Sequence, residues 1–329
     1  MDSITQFLLG ASISGAALGS RLGGRALLIG GLVATIPDLD SFVPLGNAID
    51  TMTHHRGASH SLFVLSAAAP AVAFAVTRLA PATRPHWRRV LATVWLCLVT
   101  HPLLDALTTY GTQIFWPLDV GAPVAVPAVF IIDPVYTVLL LVGVLAVWLM
   151  RRNRPRALRL NRALLAAGTL YLGLGLAGHA VVRGQAEGHP DFAGLPVHVQ
   201  PAPFNIVFWQ VLAVADDHYV TGLATPLSST IGKVARHARL AVPGEGFEPS
   251  DSVRRLEWFT DGFYTYRDTG GGLAITDLRM GYHPSFAFSF DIARRRDGAL
   301  AAITPVHAAA GPPMSEAIGQ MLARVPGLI

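Results

Sequence analysis

The stretch SLFVLSAAAPAVAFAVTRLA, Ser61–Ala80, decides the fold. It carries no acidic residue and one base, Arg78, and it matches the roughly 20 residues of helix that cross a bilayer. Three more apolar runs of spanning length follow: Val90–Leu107, Val124–Met150 (or from nearer Ile131) and Ala163–Val182. Ahead of them, Ile4–Gly19 and Gly24–Ile36 are shorter and rich in Gly and Ala, small residues that let helices approach closely in lipid. These two read as short helices buried against the longer ones. The composition agrees. Of 329 residues, 52% are hydrophobic and 14% charged, too few charges to cover a soluble domain of that size. Asp2 stands where a signal peptide would carry its basic segment, which argues against a cleaved leader. Cys97 has no cysteine to pair with in the chain.

Most carboxylates and the alternating aromatic stretches lie beyond position 185. The expected organisation is a membrane all-α bundle over 1–184, with four to six transmembrane or half-membrane helices, followed by a soluble β-rich (α+β) domain over 185–329. The net charge of +4 is almost all arginine, with no basic stripe interleaved with aromatics. That pattern excludes nucleic acid as the expected partner and points to membrane lipids. Arginines cluster at Arg21/Arg25, at Arg78/Arg84/Arg88/Arg89, and at Arg151/Arg152/Arg154/Arg156/Arg159/Arg162. With all three clusters cytoplasmic, the loops 37–60 and 108–130 and everything after about 184 fall on the opposite face. The expectation is a multi-pass protein of the cytoplasmic (inner) membrane, with those loops and the C-terminal domain periplasmic.

Three polar clusters fall on that face: Pro37-Asp38-Leu39-Asp40, His54-His55-Arg56-Gly57-Ala58-Ser59-His60-Ser61 and His101-Pro102-Leu103-Leu104-Asp105. Ionisable side chains beside membrane helices are costly, and so they point to function. His101 and Asp105 are four residues apart, on one helical face, a spacing that suits two ligands of one ion. A helix beginning near His101 would tolerate Pro102 in its first turn. His55 and His60 straddle a Gly57 turn that can bring both imidazoles to one centre. After Pro37, one of Asp38 and Asp40 can ligate while the other orients a histidine. Each cluster has a plainer reading: a helix cap for Asp-x-Asp, a packing residue for His-Pro, an interfacial loop with Arg56 on lipid phosphates. Three such clusters converging on one face outweigh those readings. Asp38, Asp40, His55, His60, His101 and Asp105 are the candidate ligands. Nitrogen and carboxylate donors without thiolate fit a divalent transition metal: zinc, or manganese or iron.

The chain resembles the YdjM-like family of inner-membrane metal-dependent hydrolases, also labelled LexA-binding and inner membrane-associated. The resemblance rests on Met1-Asp2-Ser3-Ile4-Thr5-Gln6 with Leu9-Gly10-Ala11, on Ile36-Pro37-Asp38-Leu39-Asp40, on the His54–Ser61 run, and on His101–Asp105 with Thr108-Thr109-Tyr110-Gly111-Thr112-Gln113. It implies a metal site in the membrane half. Many members have His at the position of Gln6, which here is left to position a water. Ile132–Thr137, Pro201–Asn205 with Trp209, and Thr276–Gly281 are similar to the long-form members. Asp133 reads either as an acid behind the metal ligands or as a plain N-cap before Pro134. Asp277 and Arg279 read as a structural ion pair.

Beyond 185, Phe286, Phe288, Phe290 and Ile292 alternate with smaller or polar residues, the period of a half-buried strand. Phe263–Tyr266, the Gly270-Gly271-Gly272 turn and Leu273–Leu278 predict a hairpin. Ser228–Leu240 predicts a basic amphipathic helix.

The expected function is a membrane-bound metal-dependent hydrolase, in which metal-activated water attacks an ester or phosphoester of an amphiphilic, lipid-like substrate. Asp38, His55, Arg56, His60 and Asp105 are its candidate catalytic residues, with Arg56 as a bidentate anion holder. The ligands suffice for two ions, and no Gly-x-Ser-x-Gly elbow offers a serine route. The alternative is a non-enzymatic scaffold or regulator with a structural metal site and a protein partner the sequence does not name. A transporter is disfavoured, because the polar residues leave the membrane midplane dry.

Overall fold

The computed structural model describes residues 1–243 and 246–308 together with Glu316 and Gly319. In chain order the helices are α1 (Ser3–Leu22), α2 (Gly24–Ala34), α3 (Ala48–His54), α4 (Leu62–Leu79), α5 (Trp87–Ala106), α6 (Pro134–Leu149), α7 (Arg154–Glu187) and α8 (Asp251–Phe259). Short 3-10 turns occupy Pro37–Phe42, Ala58–His60, Pro81–His86 and Arg151–Asn153. The chain divides into two units, one of Met1–Val43, Arg56–Val120 and Val124–Leu176, the other of Pro44–His55, Gly121–Pro123 and Ala177–Ile329. Pro44–His55 counts with the second unit despite its place in the sequence. The reason is local packing. Asn47 caps α3 and donates to Ser252 Oγ at 2.9 Å, and Arg255 of α8 donates to Thr53 Oγ1 at 3.0 Å.

The helical unit is built on the α1–α2 pair. A Cβ at Gly10 or at Gly30 would collide with the backbone of the other, so these two glycines permit direct helix contact, as small residues do in lipid. Leu18, Ala26, Ala34, Leu65, Val94 and Leu98 close the core among α1, α2, α4 and α5. Leu62–Leu79, Pro81–Ala106 and Arg154–Glu187 are long and apolar enough to cross a membrane, while Gly24–Ala34 and Pro134–Leu149 are apolar but shorter.

The helix expected over Val124–Met150, or from nearer Ile131, begins at Pro134, close to the later of the two starts. Asp133 caps it by accepting from Tyr136 N at 3.0 Å, and Pro134 sets the first turn. Tyr171 Oη also donates to Asp133, at 2.8 Å, so this buried carboxylate is used structurally. Residues 124–128 run extended instead, bonded to Thr112 and to the end of α5 through Val126 N to Ala106 O. Pro102 lies inside α5 rather than in a first turn.

The second unit holds two antiparallel four-stranded sheets. One has the order β1 (Val197–Pro201), β2 (Trp209–Val214), β3 (His218–Ala224), β4 (Gly232–Ala238). The other joins β5 (Tyr264–Asp268), β6 (Gly272–Asp277), β9 (Ser289–Arg296) and β10 (Ala299–His307) in the order β10-β9-β6-β5. A small pair, β7 (Gly281–Tyr282) and β8 (Ser285–Phe286), lies between β6 and β9 in sequence. The β5–β6 hairpin forms as its sequence predicts, with Tyr264 opposite Asp277. The Phe286–Ile292 alternation divides between β8 and β9, and Phe290 and Ile292 are the buried members. Ser228–Leu240 is not a helix. Gly232, a poor helix former, opens β4, which fills the edge of β3 while Val234 packs on the core of Trp209, Phe192 and Val220. Asp277 and Arg279 form a buried two-pronged ion pair, Nη2 to Oδ2 at 2.8 Å and Nε to Oδ1 at 3.0 Å.

Candidate metal centre

Three pieces of chain in the helical unit deliver the cluster. The Pro37 turn after α2 brings in Asp38, the Ala58–His60 turn before α4 brings in His60, and the last turns of α5 carry His101 and Asp105 on one face. One donor atom from each of the four lies within 4.8 Å of all the others. His60 Nε2 is 3.1 Å from His101 Nε2, and Asp38 Oδ1 is 3.5 and 3.3 Å from these nitrogens. Asp105 Oδ2 is 3.3 and 3.4 Å from the same pair. Donors 2.0–2.1 Å from a tetrahedral ion would stand about 3.3 Å apart, and the five distances above that involve an imidazole, 3.1–3.5 Å, are close to that, while the two carboxylate oxygens lie within 4.8 Å of each other.

The proton arrangement supports the same conclusion. His101 Nδ1 is 2.6 Å from the carbonyl of Ala34, which only accepts, so Nδ1 holds the proton. Ser59 Oγ donates to Asp40 Oδ2 at 2.6 Å and is left to accept from His60 Nδ1 at 2.9 Å. In the neutral rings, both Nε2 atoms then present lone pairs to each other and to two carboxylates. Asp105 Oδ1 receives the α-amino group of Met1, Gln6 Nε2 at 3.1 Å and Arg56 Nη2 at 3.3 Å. Its Oδ2, facing the imidazoles, is buried without a hydrogen-bond partner. A buried carboxylate oxygen in that position is costly unless a cation meets it.

The supporting residues are equally specific. Asp40 lies behind His60, 3.7 Å from its Nδ1, and also accepts from the backbone N–H of Arg56 at 3.1 Å. Arg56 adopts a left-handed backbone with φ of 62°, a conformation that costs a non-glycine residue about 1 kcal/mol. Its buried guanidinium donates to Thr108 Oγ1 at 3.3 Å and lies 4.8 Å over the ring of Tyr110. Its Nε is buried without a partner. The loop after α5 fixes this turn, with Gln113 N donating to Arg56 O at 3.0 Å.

Of the six candidate ligands, the structure brings together Asp38, His60, His101 and Asp105, and sets Asp40 behind His60. His55 is not in the cluster. It is the C-cap of α3 and counts with the second unit, because the chain changes course at the left-handed Arg56 that follows. Gln6 is present, but its Nε2 contacts Asp105 and the carbonyl of His101, as a hydrogen-bonding residue. Sequence reasoning assigned no role to Ser59 or Thr108. Both sit inside the motif runs, and their hydroxyls beside ligand-type residues were the available signal. The Met1 amino group carried no sequence signal.

A family model described as YdjM inner membrane protein matches residues 1–181. No curated protein and no solved structure matches the chain. The match contains all four clustered donors together with Gln6, Asp40, Arg56 and Ser59, and leaves both β-sheets outside it.

Proposed function

The chain belongs to the YdjM inner membrane protein family, and on that premise we propose a multi-pass, membrane-bound, metal-dependent hydrolase. Its substrate in this reading is an ester or phosphoester of an amphiphilic, lipid-like molecule. One observation carries the reading: a set of four donors, one of them within reach of solvent, has a buried, incompletely paired arginine beside it. When bound, a divalent metal, zinc foremost and then manganese or iron, supplies a Lewis acid and makes water acidic enough to attack an ester.

Asp38, His60, His101 and Asp105 would hold that ion. Asp40 and Ser59 fix the tautomer of His60, as outer partners of ligating histidines do. Asp105 ties Arg56 to the cluster, and the unpartnered Nε of Arg56 is available for a phosphate or carboxylate oxygen. Asp38 is the donor that solvent reaches, at 19% exposure against 1% or less for the other three side chains, and it marks the side from which substrate enters. The arginine clusters orient the site and the C-terminal domain to the extracytoplasmic face.

A second reading has its own observation. Four protein donors are the number that closes a structural tetrahedral site, which would suit a scaffold. The decisive experiment is a screen of phosphodiester and carboxylester lipids with metal-loaded protein. Turnover should vanish with chelator and return with metal. Arg56→Lys should raise KM about 10-fold, the loss of one charge-assisted hydrogen bond, with metal content unchanged. A blank screen on protein whose melting temperature falls on chelation would establish the scaffold reading instead.

A further inference from the structure

A groove of about 640 Å³ opens on the helical unit between α2, the C-terminal half of α4 and the Pro81–His86 turn. Along α2 its wall includes Arg25, Leu32 and Ile36, and along α4 it includes Val72, Ala75 and Leu79. At 1.5 Å per residue, the wall from Arg25 towards Ile36 is about 16 Å long, on the scale of an acyl chain rather than of a headgroup. Leu32 and Leu79 are exposed, as are Phe74 and Phe63 on the outer surface of α4, so this side of the unit is suited to lipid.

Charge identifies the occupant. Arg25 is the charged residue among those that line the groove, and it sits at one end. It is exposed, and no ion pair or hydrogen bond reaches its guanidinium among the described residues. Arg21, Arg78 and Arg84 flank the lining residues in sequence. No Asp or Glu occurs between Asp2 and Asp38, or between Asp50 and Asp105, so α1, α2 and α4 offer these arginines no acid. An apolar channel with an unneutralised cationic mouth complements a molecule that has an acyl chain below an anionic phosphate.

We propose that this groove binds one anionic phospholipid, with its acyl chain along α2 towards Ile36 and its phosphate on Arg25. The site is separate from the Asp38–His60–His101–Asp105 cluster and does not depend on hydrolysis. It also gives the arginine end a role beyond setting orientation.

The test is native mass spectrometry of the full-length, metal-loaded protein in mild detergent, with phosphatidylglycerol or phosphatidylcholine of identical chains added. Wild type should retain phosphatidylglycerol about five-fold better, the preference expected of one arginine near a lipid phosphate. Arg25→Gln should erase the preference and Arg25→Lys should keep it. Ala75→Trp, which fills the groove, should reduce retention of both lipids, and Leu32→Trp on the opposite wall repeats the test should the first variant fold poorly. Metal content reports folding independently. Equal retention of the two lipids by wild type overturns the proposal. So does an unchanged preference in Arg25→Gln, or wild-type retention by both groove-filled variants.

Discussion

The molecule buries charge in two ways. In the C-terminal unit, Asp277 and Arg279 meet through two parallel hydrogen bonds, and Arg279 rests 5.3 Å over the ring of Phe259. Each carboxylate oxygen has its donor, and the pair is complete. In the helical unit, Asp105 has three donors on one oxygen and none on the other, which faces two imidazole nitrogens and a second carboxylate. A closed pair contributes to the fold and asks for nothing more. An open set at the same depth leaves a cation-shaped need, because donors alone repel one another in a low-dielectric interior.

The strongest perturbation should therefore come from breaking the closed pair. Asp277→Ala leaves Arg279 buried and unpaired and should destabilise the protein by about 3–5 kcal/mol, with bound metal unchanged. Chemical denaturation with elemental analysis reads both quantities. A loss below 1 kcal/mol would mean that the pair is solvated in solution and that the contrast is not real.

The open set should respond to its supports with a smaller effect. Asp40→Asn and Ser59→Ala each loosen the tautomer and orientation of His60 and should weaken metal affinity about 10- to 100-fold. Competition with a chromogenic chelator measures this. Unchanged affinity in both variants would remove Asp40 and Ser59 from the account of the site.

The mildest effect is one of pH. Burial, reinforced by the positive charge of Arg279 and by His179 and Arg183, lowers His198 to about 3. The folded protein keeps His198 neutral where the unfolded chain binds a proton. Its contribution is thus fully present above about 6.5 and is lost as pH falls from there towards 3, by about 1.4 kcal/mol per unit. Stability measured at pH 7 and pH 5.5 should differ by less in His198→Phe than in wild type. An equal difference would show that His198 is protonated in the fold.

Much of this could be read from residues alone. The apolar run after His60 and the four-residue spacing of His101 and Asp105 speak directly of a helix and of one face. The glycine turn before Leu273 speaks of a hairpin. What could not be read depends on partners distant in sequence. His55 and His60 look equivalent in the motif, yet a single left-handed residue, Arg56, separates the one that caps α3 from the one in the cluster. The basic segment from Ser228 has a helical pattern, but the free edge of β3 offers it a ladder that the pattern does not record. Residues 124–128 are apolar enough for a helix, and the chain uses them to brace the end of α5.

Metal analysis tests the central claim most directly. Protein purified without chelator, analysed as wild type, His60→Ala and His101→Ala, should carry about one equivalent of a divalent transition metal in the first and lose most of it in both variants. Full metal retention in both variants, or wild-type protein that stays metal-free when zinc is supplied, would contradict the site.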